Sequence, residues 1–196
     1  MTRNVAILIF DEVEVLDFCG PFEVFGVAGR HDSPKPFNVY TVAEKSPVIA
    51  RNGLSVNPTY MFDNCQQPDI LLVPGGYGTR REINNPYMIN WIQAQFPKVE
   101  LILSVCTGAL LLGKANLLDG LSATTHFGAE DELRAVAPKT TICMSERYVD
   151  NGKVITSAGI SAGIDLALYT VGRLLGAYAA VETARHMQYD YWKGSS

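Results

Sequence analysis

The chain has 196 residues, 47% of them hydrophobic, and a formal net charge of -4, which suits a single α/β domain spanning 1–196 with a full core. A mildly acidic chain with no run of five basic residues lacks the electrostatic footprint of a nucleic-acid binder, so no nucleic-acid partner is expected. Its four cysteines, Cys19, Cys65, Cys106 and Cys143, form no C-x-x-C pair, and no histidine spacing suits zinc. No apolar stretch reaches membrane-spanning length and the N-terminus lacks a signal-peptide pattern, so a cytoplasmic protein without membrane, metal or cofactor is expected.

Residues 4–10 are a continuous apolar run, the pattern of a strand buried on both faces of a parallel sheet. Pro21 suits the first turn of a helix reaching about Gly29, which leaves Asp17 in the preceding turn and Cys19 as packing. Residues 37–44 alternate as a strand, and 48–61 supply short strands or an irregular arm around Gly53 and Pro58. A second buried strand, 69–73, breaks into Gly75-Gly76-Tyr77-Gly78, and a helix over 86–96 leads to a third, Leu101 to Val105. A strand-like stretch over 122–127, a helix over 129–136 and an Asn151-Gly152 hairpin follow. A helix over 164–175, capped by Ser161 or a nearby glycine, and a last helix from Ala179 to about Tyr191 complete the plan, with the closing Gly-Ser-Ser expected to be disordered. Alternating strands and helices predict a mainly parallel sheet with helices on both faces and a small antiparallel hairpin.

The chemistry concentrates where Leu101 to Val105 meets the apolar helix after Thr107. Cys106 falls on that strand-to-helix corner, and Gly108 two residues later fits half of a nucleophile-elbow pattern. A following helix aims N–H groups at the sulfur, so the thiol is expected to be acidic and reactive. Asp17 follows the C-terminal end of the first strand, where open α/β sheets place their chemistry, and reads as an acid or base or as a turn residue. Gly75 or Gly76, with the Thr107 N–H, can supply an oxyanion hole or simply end a strand. His126 reads as a general base for a cysteine or as a hydrogen-bonded core histidine, while His31 and His186 look solvated.

The stretches 5–10, 14–25, 72–78, Ser104-Val-Cys-Thr-Gly-Ala109 and Thr156-Ser-Ala-Gly-Ile-Ser-Ala-Gly-Ile-Asp165 together resemble the ThiJ/PfpI superfamily, glutamine-amidotransferase-like cysteine proteins, over nearly the whole chain. Asp17, Cys106-Thr107, the Ala-Thr-Thr-His-Phe run at 123–127 and the Ser-Ala-Gly-Ile-Asp segment are similar to its isocyanide hydratase branch. The resemblance implies a flavodoxin-like fold, a homodimer and a Cys106 nucleophile, with Asp17 where many relatives carry a glutamate against the sulfur. It further implies a small-molecule substrate, with Thr107 orienting Asp17 or water, or else capping the elbow helix, and with Gly75, Gly76, His126, Gly159 and Ile160 binding substrate or oxyanion. Thr107 stands where amidase-like relatives carry histidine, and the late His-Pro-Glu element of glutamine amidotransferases is missing near His186, so amide hydrolysis is not favoured. Some members of the branch continue into a helix-turn-helix region, which is not expected here. Three functions remain open on these residues: isocyanide hydration, a glyoxalase-like conversion of a small ketoaldehyde, and a redox or electrophile sensor with no turnover.

Overall fold

The computed structural model describes residues 1–190. Its elements alternate along the chain. The first half runs β1 (Arg3–Leu8), α1 (Val15–Val27), β2 (Phe37–Ala43), β3 (Val48–Ile49), β4 (Ser55–Val56), β5 (Tyr60–Met61), β6 (Ile70–Val73), α2 (Thr79–Glu82) and α3 (Pro86–Gln95). The second runs β7 (Leu101–Val105), α4 (Gly108–Lys114), β8 (Ser122–Ala123), α5 (Glu130–Val136), β9 (Thr141–Ile142), β10 (Tyr148–Asp150), β11 (Val154–Ser157), α6 (Ala162–Leu175) and α7 (Ala177–His186).

Seven strands form the central sheet in the order β10-β11-β7-β6-β1-β2-β5. Only the β10–β11 pair is antiparallel, turned by Asn151-Gly152 with Gly152 at φ 85. The expected antiparallel hairpin is present and forms one edge of the main sheet. Every residue of β6 and of β7 is buried, and because neighbours on a strand face opposite ways, that burial demands cover on both faces. One helix group, α1 with α6 and α7, supplies part of the cover, and α4 with α2, α3 and α5 the rest. Among the described residues, no helix is long and apolar enough to cross a membrane.

β1 is flanked by β2 on one side and β6 on the other. The chain thus leaves β1 in one direction and later returns on its far side, which opens a crevice beyond the carboxyl ends of β1, β6 and β7. Register aligns those ends, with Val73 opposite Ser104 and Val105 opposite Ser157.

Several sequence expectations shift. The first helix begins at Val15, not Pro21, so Asp17 lies in its first turn and Pro21 inside it. Asp17, Phe18, Pro21, Val24 and Phe25 form one buried stripe, and that burial outweighs the roughly 3 kcal/mol that an interior proline costs. Cys19 lies off the stripe and is exposed, as are Leu16 and Phe22 on the same outer face, so it is not a packing residue. The stretch 122–127 is strand only at Ser122–Ala123 and then turns. Ser161 occupies the N-cap of α6 without a capping hydrogen bond. The last helix ends at His186, and the expectations for Tyr191 and the closing Gly-Ser-Ser lie outside the described residues.

Candidate active site

Cys106 stands between β7 and α4 with φ 56, the left-handed region that L side chains rarely adopt, at a cost on the order of 1–3 kcal/mol. Surrounding backbone holds it there. Its N–H donates to the Ser157 and Ala158 carbonyls at 3.2 Å each, and the Thr125 hydroxyl donates to its carbonyl at 2.9 Å. A Cβ on Gly108 would collide with the Val73 carbonyl oxygen, so the corner can close this tightly only with glycine at that position.

Asp17 is fully buried. Its Oδ2 accepts the Gly75 N–H at 3.0 Å, and its Oδ1 is buried without a well-aligned hydrogen bond while the carboxyl as a whole interacts with the Cys106 thiol. Burial is the main force lifting this carboxyl from the ordinary carboxylate range to about 7; the Gly75 N–H opposes it, and the charge of Glu14 adds to it. Burial likewise pushes the Cys106 thiol up to about 12, helped by the negative charge of Asp17, while the Thr107 and Ile160 N–H groups pull it down. The acidic thiol expected from the helix terminus is therefore not what the site builds. Desolvation and a neighbouring carboxylate outweigh two backbone donors, and carboxyl and thiol together hold onto one proton well above neutral pH.

The expected donors are redistributed. The Thr107 N–H does face the sulfur, but its second companion is the Ile160 N–H, from a β-branched residue at φ 52. Gly75 and Gly76 spend their N–H groups on Asp17 Oδ2 and on Thr107 Oγ1, each at 3.0 Å. Thr107 itself neither orients Asp17 nor caps α4. Its hydroxyl donates to the Gly76 carbonyl at 3.1 Å while accepting the Gly76 N–H, which clamps the glycine loop to the elbow. The Thr79 hydroxyl seals the same carbonyl at 2.8 Å.

His126 lines the cavity over the thiol. Its Nδ1 accepts the Gly128 N–H at 3.1 Å, which leaves Nε2 as the protonated nitrogen of the neutral ring. Gly159 lies against that ring so closely that a Cβ would strike it, which makes it a spacer for His126. The other walls are Glu14, Arg51, Tyr77, Arg80 and Ile160, around a volume of about 200 Å³. Four of these, Glu14, Arg51, Tyr77 and Arg80, along with Thr125, went unnoticed in the sequence, since no local pattern brings residues 14, 51, 80 and 125 to one place. Among the described residues, no group of three His, Cys, Asp or Glu side chains is placed to hold a metal ion.

This arrangement has relatives. The model of the DJ-1/PfpI family matches residues 3–172. The isonitrile hydratase of Pseudomonas putida is 34% identical over 189 residues, covering 96% of this chain and 77% of that protein. The HTH-type transcriptional regulator CdhR of Pseudomonas aeruginosa is 30% identical over 185 residues, 94% of this chain, and the match spans only 54% of the regulator. Among solved structures, a ThiJ/PfpI family protein from Pseudomonas syringae superposes with a TM-score of 0.87 at 30% identity, over 97% of this chain and 76% of that one. Drosophila melanogaster DJ-1beta shares the fold, with a TM-score of 0.83 at 19% identity over 96% of this chain and 98% of that one. With its elbow cysteine, its glycine loop and a family match over most of its length, this chain belongs to the DJ-1/PfpI family.

Proposed function

We propose that the protein hydrates a small isocyanide to the corresponding N-substituted formamide, with Cys106 as nucleophile and Asp17 as proton carrier. The observation that carries this reading is the fully buried Asp17 carboxyl, lifted to about 7, beside the Cys106 thiol. The pair shares one proton, held by the thiol at rest and passed to the Asp17 carboxylate as the sulfur attacks, so that a carboxylic acid stands ready beside the isocyanide carbon. The thiolate adds to the terminal isocyanide carbon, which takes the Asp17 proton, and the product is a thioimidate. Water then adds across its C=N bond, hydroxyl to carbon and hydrogen to nitrogen. Collapse breaks the C–S bond, returns the hydroxyl proton to Asp17, regenerates the thiolate and releases the formamide. The Thr107 and Ile160 N–H groups that face the sulfur stabilise it whenever it carries charge. The P. putida relative supports this choice over a glyoxalase-like conversion by the same residues. Cys106 is 5% exposed, which weighs against a sensor whose sulfur must be open to oxidants and electrophiles in solution.

Formamide release from a panel of alkyl and aryl isocyanides tests the reading. Wild type is expected to turn over, and Cys106→Ala and Asp17→Asn to lose at least about a hundred-fold; an inactive wild type across the panel removes the hydratase. The working unit is proposed to be a homodimer formed through the outer face of α1, where Leu16 and Phe22 stay 39% and 38% exposed beside Cys19. Sedimentation velocity should show a dimer that Phe22→Asp converts to monomer, and a monomeric wild type counts against it.

A further inference from the structure

The cavity above Cys106 carries charges that the thiol chemistry does not use. Arg51 enters from the tip of the β3–β4 hairpin and is held by the turn that delivers Asp17: its N–H donates to the Val13 carbonyl at 2.9 Å and its Nη1 to Glu12 Oε2 at 2.6 Å. Its Nε and Nη2 have no hydrogen-bond partner among the described residues, and 39% of the side chain is open. Arg80, by contrast, is spent. Its Nε and Nη2 bind both oxygens of Glu132 at 2.8 and 2.6 Å, and its Nη1 reaches the Gly76 carbonyl at 3.3 Å. Between the two lies the ring of Tyr77, with the guanidinium carbons 5.8 and 5.9 Å from its centroid. That ring steadies both cations.

A propped guanidinium with unspent donors, beside a second cation, at the rim of a cavity of about 200 Å³ that holds the nucleophile, is a receptor for an anion. Two parallel N–H donors match the two oxygens of a carboxylate. Glu14 lines the same cavity, and its side chain has no hydrogen bond or ion pair among the described residues; its charge repels an anion from its own wall, which leaves the Arg51 guanidinium as the anion's place.

We propose that the substrate of Cys106 carries a carboxylate, which Arg51 binds through Nε and Nη2 while the reacting carbon lies at the sulfur. The inference rests on this cavity being the substrate site, and it narrows the class from any small isocyanide to one bearing a carboxylate.

The test does not depend on turnover. Iodoacetate and iodoacetamide alkylate a cysteine by the same displacement, in which an S–C bond forms, the C–I bond breaks and iodide leaves; they differ in carboxylate against amide. The ratio of their rate constants, followed by mass spectrometry on the Cys106 peptide, reports how the cavity receives an anion. Arg51→Gln is expected to lower the iodoacetate-to-iodoacetamide ratio by about five-fold or more, with Arg51→Lys in between because a point charge replaces the fork. Arg185→Gln, on the exposed side of α7, is expected to leave the ratio as in wild type. An equal ratio in wild type and Arg51→Gln overturns the proposal. If Arg51→Gln does not fold, wild type decides: propionate should protect Cys106 from iodoacetamide where propionamide does not, and equal protection overturns the proposal. Failure of formamide release with the ratio intact would remove the hydratase reading and keep the carboxylate site.

Discussion

The site has two halves that are built in opposite ways. The inner half, Cys106, Asp17, Gly75, Gly76 and Thr107 with the Ile160 N–H, is held by hydrogen bonds to backbone groups, the first five residues being buried, and its two ionisable groups are both pushed toward their neutral forms. The outer half, Glu14, Arg51, Tyr77, Arg80 and His126, is made of side chains at a partly open rim where ion pairs keep their charge. Inside, burial decides protonation; at the rim, solvent screens what the charges can do. On the proposed function, the inner half sets what reaction is possible, and the outer half which molecules reach it.

Asp17→Asn sharpens the contrast most. A carboxyl at about 7 in the folded chain, against roughly 3.9 in the unfolded one, keeps its proton longer when folded, so its contribution to stability falls as pH rises from about 4 to about 7. Above pH 7 the full penalty stands, about 4 kcal/mol for a shift of some three units. Asparagine keeps an oxygen for the Gly75 N–H and removes the ionisation. At pH 8 the variant is expected to melt higher than wild type by about 10 °C, and at pH 4 to melt with it. A melting difference that is the same at both pH values would mean that the buried charge is not what strains the site. The raised Cys106 thiol begins to cost stability only as pH climbs past its ordinary value toward about 12, so it does not enter this comparison.

How much of this was legible in the sequence follows the same division. β1, β6 and β7 are apolar runs bounded by turn residues, and the strand-to-helix corner between β7 and α4 is a local pattern, so sheet, corner and the cysteine on it could all be read from residues near one another. Asp17 was also found, but through its place after a strand; its entry into α1 was missed because the packing of Phe18, Val24 and Phe25 overrides the usual meaning of Pro21. The donor set was misassigned because Gly75 and Gly76 have free-looking N–H groups in sequence and occupied ones in space. Ile160 does carry a donor, at a positive φ that no β-branched residue announces. The rim was invisible because Arg51 comes from the tip of the β3–β4 hairpin and Arg80 from α2, and the folded turn around Glu12 and Val13 brings Arg51 to the cavity over the thiol.

The smallest effect expected is the one that crosses the boundary. Glu14 is the N-cap residue of α1 and a wall of the cavity, and its charge helps to hold the Asp17 carboxyl in its protonated form. Glu14→Gln keeps the side chain's length and deletes that charge. The apparent pKa of the inner pair, read as the pH dependence of Cys106 alkylation by neutral iodoacetamide, is expected to fall by a few tenths of a unit, because a half-exposed carboxylate acts through a well-screened path. The sign is fixed: without a negative neighbour, ionised Asp17 is less costly, and the proton leaves at lower pH. Salt separates charge from shape. In about 1 M salt the Debye length shrinks to roughly 3 Å, and the difference between wild type and Glu14→Gln should close. A difference that survives salt would mean that Glu14 works by holding the start of α1 in place, and the two halves of the site would then be joined by packing and not by field.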